Sequence, residues 1–152
     1  MKRIAIVMAL TIFPAFIAYG EFRKWQLDRE VDRLCAIDGG IHIYEQVRLP
    51  KESFGPDGEV FPQYRHLIPE SGELGPDFFS QVDRVELVRG NPELVRSVVH
   101  IYRRDDKKLL GEQINYIRGG GDIPGPWSSS THQCSEIMNA SKRLRDVFVK
   151  ES

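Results

Sequence analysis

The chain has 152 residues and a formal net charge of -1, enough for one domain with a real core and hardly for two. Charged residues are 28% of the total, with Lys and Arg scattered among Asp and Glu and no basic stripe, so nucleic acid as a partner has no electrostatic support. The hydrophobic share of 41% is an ordinary globular balance.

Met1, Lys2 and Arg3 make a short positive start, and residues 4–19 follow without a charge. As a helix that run would be ~24 Å long, short of the ~30 Å hydrocarbon core of a bilayer. Ala18 and Gly20 put small residues where a signal peptidase cutting after Gly20 needs them. Residues 1–20 therefore read as a cleavable secretory signal or, uncleaved, as a membrane anchor through residues 4–19. Residues 21–152 read as a single α+β domain outside the cytoplasm, either periplasmic or secreted, or held at the inner membrane. The two cysteines, Cys35 and Cys134, are then expected to form a disulfide. Closing a loop of roughly 100 residues, it would be worth about 4–5 kcal/mol.

Residues 22–37 have a helical period, with Leu27, Val31 and Leu34 on one stripe and Trp25 and Cys35 beside it. Asp38-Gly39-Gly40 is the stop. Residues 41–49 alternate as a half-buried strand: Ile41, Ile43, Val47 and Leu49 on the apolar face, interrupted by Glu45, and His42, Tyr44, Gln46 and Arg48 on the other. Residues 50–77 are proline- and glycine-rich and irregular, tacked down by Phe54, Phe61 and Tyr64, with room for a short strand at 60–68. Strands follow at 82–89, 95–104 and 109–118, turning at Gly90-Asn91-Pro92 and at residues 105–108, with a kink at Gly111. Together these predict an antiparallel sheet of about four strands. A C-terminal helix is expected from Ser135, with Ile137, Ala140, Ser141, Leu144 and Phe148 as its buried stripe and Lys142, Arg143 and Arg145 in water.

Between the last strand and that helix runs Arg118-Gly119-Gly120-Gly121-Asp122-Ile123-Pro124-Gly125-Pro126-Trp127. Glycines followed by prolines make a loop, loose in one half and stiff in the other. It lacks the Lys and Ser/Thr of a phosphate loop and the strand–turn–helix setting of a dinucleotide fingerprint. The histidines, His42, His66, His100 and His132, have no metal-ligand spacing, and no metal or cofactor is expected. His42 and His100 are candidates to meet on the polar face of the sheet. Asp122 and His132 flank a serine run, so a Ser-His-Asp arrangement is conceivable, but no GxSxG elbow supports it. Glu45 reads either as an ion pair with a nearby Arg or as a buried acid with a raised pKa. Asn139-Ala140-Ser141 matches a glycosylation acceptor inside an expected helix.

Two patches, Cys35-Ala36-Ile37-Asp38-Gly39-Gly40 ahead of a strand and the Arg118–Trp127 loop leading to Cys134, resemble those of small exported proteins of proteobacteria, a group with no established activity. The resemblance implies a bacterial envelope location and carries over no catalytic residue. The expected role is non-enzymatic binding or accessory work in the envelope through loops 50–77 and 118–133. Arg118, Asp122, Trp127 and His132 are the binding candidates, and a protein or envelope component is the partner. Two alternatives stay open: a membrane-anchored subunit of a larger complex, and a small hydrolase using Asp122 and His132.

Overall fold

The computed structural model describes residues 2–64, 73–122, 126, 128–135, 137 and 143–151, with the backbone alone at 2–13, 16 and 62. Helix α1 runs unbroken from Lys2 to Asp38. The helix expected from residue 22 therefore begins earlier and passes through Gly20, since one interior glycine costs a helix only about 1 kcal/mol. Among the described residues no helix is long and apolar enough to cross a membrane. The stop falls where the sequence puts it: the Gly39 N–H donates to the Cys35 carbonyl at 3.0 Å, and Gly40 takes a φ of 122°.

Among the described residues eight strands follow: β1 (Gly40–Ile43), β2 (Val47–Leu49), β3 (Glu73–Leu74), β4 (Phe78–Val88), β5 (Glu93–Arg103), β6 (Leu109–Gly119), β7 (Thr131–Gln133) and β8 (Phe148–Lys150). The main sheet is antiparallel, in the order β1-β6-β5-β4-β3. Among the described residues it has six strands rather than four, because β3 adds to β4 and β7 shares the outer edge of β6 with β1. Strand β1 lies against residues 111–114 and β7 against 117–119.

The expected single strand at 41–49 is two. The N–H groups of Tyr44 and Glu45 both donate to the Leu110 carbonyl, at 2.9 and 3.0 Å, and turn the chain out of the main sheet. Strand β2 then pairs in parallel with β8. The apolar alternation survives this break, for Ile41, Ile43, Val47 and Leu49 all pack in one cluster. Leu110 is the extra residue of a bulge in β6, since Gly111 faces Ile101 and Leu109 faces Tyr102. This is the kink expected at Gly111. A Cβ there would meet Val147 Cγ2 at 2.9 Å, the His42 carbonyl at 3.0 Å and Leu144 Cδ1 at 3.2 Å. Gly111→Ala is expected to lower stability by about 1–3 kcal/mol in urea unfolding.

Residues facing each other in antiparallel strands share a side of the sheet. Leu94 and Val98 of β5 and Ile114 and Tyr116 of β6 lie under α1, packed on Leu27, Val31 and Leu34. On the opposite side Val99, Ile101 and Leu110 are covered by Leu49, Val60, Tyr64, Leu144, Val147 and Phe148. Of the three anchors expected in 50–77, Phe54 and Tyr64 reach this cluster and Phe61 stays 37% exposed. The strand expected at 60–68 is replaced at Pro62–Tyr64 by a 3-10 helix, and residues 65–68 lie outside the described residues.

Among the described residues the expected C-terminal helix is not shown: Ser135 and Ile137 are helical, but the chain beyond 143 is not α-helical. Residues Leu144–Val147 form a 3-10 helix and Phe148 begins β8. Ile137 packs on the α1 side while Leu144 and Phe148 are buried on the other, so no single helical stripe joins them. Ala140, Ser141 and the Asn139 acceptor lie outside the described residues.

Candidate functional site

The loop after β6 is tied to α1 by a row of side chains one helical turn apart. Lys24, Asp28 and Asp32 stand at i, i+4 and i+8, beside the apolar stripe. The Lys24 ammonium meets Asp122 at 2.7 Å, Arg118 Nε donates to Asp28 at 2.7 Å, and His132 Nε2 lies 2.8 Å from Asp32. The Cys35–Cys134 disulfide follows on the same side, with Cα atoms 5.6 Å apart and a sequence separation of 99. At the end of the helix the Tyr116 hydroxyl donates to Asp38 at 2.8 Å, and Arg96 Nε donates to the Tyr116 oxygen at 3.1 Å. Burial first, then the Asp38 carboxylate, hold the Tyr116 phenol above its usual range.

Among the described residues of the glycine loop, Arg118, Gly120, Gly121 and Asp122 each have a structural task. Arg118 is 2% exposed, and its Nη1 donates to the carbonyls of Gly120 (2.8 Å) and Ser130 (2.9 Å) and to the Ser130 hydroxyl (2.8 Å). Gly120 and Gly121 take φ of 75° and 86°, where a side chain would be strained. The Gly121 N–H donates to Asn91 Oδ1 at 2.6 Å. Asp122 accepts from Lys24 and from the backbone and hydroxyl of Ser130. Trp127 and His66 lie outside the described residues.

The Lys24 ammonium, followed by the two Ser130 donors, holds the Asp122 carboxyl far below the usual carboxylate range. A depressed folded-state pKa stabilises above the unfolded value, and that contribution is lost as pH falls through the folded value. The stability gap between the wild type and Asp122→Asn is therefore expected to narrow as pH drops below about 4, read by urea unfolding at pH 5, 3.5 and 2.

Asp122 and His132 are thus held by different partners on the helix. Glu45 is the ion pair, not the raised acid: Lys108 first and then Arg103 hold its carboxyl below the usual range.

The two histidines expected to meet on the polar face share one row across the sheet. His42 faces Glu112, Glu112 faces His100 and His100 faces Gln81. The His100 ring stands between two carboxylates. Its Nε2 is 3.3 Å from Asp83, and its Nδ1 is 3.3 Å from Glu112 without the alignment of a hydrogen bond. The Tyr44 hydroxyl donates to Glu112, which raises the phenol's pKa. Tyr102 stacks on Phe79 with centroids 5.2 Å apart, and burial followed by Asp83 and Glu112 raises its phenol too. This half of the sheet face lies beyond the α1 cluster and presents aromatic, imidazole and carboxylate groups together. Sequence reasoning had His42 and His100 here but missed Asp83, Tyr102 and Glu112. Cross-strand register, which brings them in, is weakly encoded in one strand alone.

Among the described residues no group of three or more His, Cys, Asp or Glu is placed to hold a metal ion. An open cleft of about 500 Å³ lined by Ile43, Tyr44, Glu45, Gln46 and Asp146 borders the half-face. No family model, curated protein or solved structure matches this chain.

Proposed function

We propose that the chain is an exported protein of the bacterial cell envelope that acts by binding a protein or envelope component rather than by catalysis. The carrying observation is the division of labour among its polar groups. Arg118, Asp122, Ser130 and His132 are engaged as struts between the loop and α1. The half-face around His100, with Tyr44 58% exposed at its margin, lies outside both apolar clusters. The formed disulfide suits an oxidising compartment.

Photo-crosslinking in intact cells tests this. A crosslinker at Tyr44 or Tyr102 is expected to capture an envelope component, and one at Lys51 is not. No adduct from either tyrosine position, or equal adducts from Lys51, would overturn the reading.

A second reading, attachment to the membrane through residues 4–19, is favoured by one feature of α1. Tyr19, Phe22 and Trp25 are 63%, 51% and 52% exposed, whereas Leu27 and Val31 are buried. Phe22 stacks on Trp25 at 5.9 Å and Arg29 lies 5.1 Å over the Trp25 ring. Aromatic residues just beyond an apolar run are typical of a membrane–water interface. An intact mass beginning at Glu21 in the native protein would exclude this attachment.

A further inference from the structure

We propose that two copies of the chain join edge to edge through β4, making one continuous antiparallel sheet about a two-fold axis. The inference goes beyond the binding reading and does not depend on it. Strand β3 pairs only with Phe78 and Phe79. Among the described residues no strand pairs with the outer edge of β4 from Ser80 to Val88. Residues 81–87 are all exposed, including Val82 (41%), Val85 (51%) and Leu87 (45%). An edge of this length, rich in β-branched residues, is a template for another strand.

Charge and symmetry select the occupant and the register. A two-fold axis perpendicular to a sheet places a central residue opposite itself, because facing residues in antiparallel strands share a side. Centring on Asp83, Arg84 or Glu86 sets a like charge against itself, and Leu87 is the extra residue of a bulge, where the ladder is broken. Centring on Val82 runs Val85 into Phe79, which β3 already covers. Centring on Val85 stacks valine on valine and sets Arg84 opposite Glu86 of the second copy, twice. Glu86 now pairs with Arg89 at 3.0 Å, but both side chains are more than half exposed, so that pair exchanges at little cost.

The test uses the full chain in its native cells, read on non-reducing gels after mild oxidation. Val85→Cys is expected to give a covalent dimer, since the two sulfurs face each other across the axis. Asp83→Cys is expected to stay monomeric, because its copies would lie ~13 Å apart along the strands. Arg84→Glu added to Val85→Cys should cut the dimer roughly fivefold or more by setting glutamate against Glu86. Adding Glu86→Arg should restore it. A monomeric Val85→Cys chain, equal dimer from Asp83→Cys, or no rescue by the charge swap would overturn the proposal. All four positions are exposed and outside the apolar clusters, so a folding failure is not expected and circular dichroism checks for one.

Discussion

The Cys35→Ser/Cys134→Ser double variant is expected to lose about 4–5 kcal/mol of unfolding free energy. The bond closes a loop with a sequence separation of 99 and joins the last turn of α1 to the chain leaving β7. Cutting it lets the unfolded chain regain most of the entropy of that loop. Cys134 is also 1% exposed within the cluster under α1, so a serine hydroxyl there would need a new partner. Urea unfolding monitored by tryptophan fluorescence reads the loss. Since a domain of this size has ~5–15 kcal/mol in all, the bond supplies about a third or more of it. A loss under about 1 kcal/mol would mean that the ionic row alone holds the helix.

Arg118→Ala is expected to cost about 3–5 kcal/mol. The guanidinium is buried between Asp28, two carbonyls and the Ser130 hydroxyl, and its removal takes the donor from all of them at once. Arg118→Lys keeps the charge but not the planar fork that reaches helix and loop at once, so an intermediate loss is expected. Arg118 and the disulfide brace the same joint, so the losses should not add, and the triple variant measures the coupling. If Arg118→Ala changed stability by less than about 1 kcal/mol, the loop would not be a strut and its place in the account would fall.

What was legible in the sequence was what local period encodes. The stripe of Leu27, Val31 and Leu34, the stop at Gly39, the long hairpin of β5 and β6 and the kink at Gly111 all lie within one or two turns of chain. The cysteine pairing followed from count and compartment. The break at Tyr44 was hidden because the residues on both sides keep the same alternation, and only the bulged carbonyl of Leu110 diverts the chain. The C-terminal segment misled for a related reason. Ile137, Leu144 and Phe148 have near-helical spacing, yet the chain carries them to opposite sides of the sheet. At the loop, the sequence marked Arg118, Asp122 and His132 as unusual but not what they meet. The signal was present in α1 as Lys24, Asp28 and Asp32, four residues apart beside the buried stripe, and matching that polar stripe to the loop would have identified the struts.

The claim on which the account rests is that the two sulfurs are joined in the chain's own compartment. Acid-quenched cells, alkylated before and after reduction and read by intact mass, test it most directly. The account predicts no alkyl group before reduction and two after it. Two alkyl groups added without reduction would contradict it.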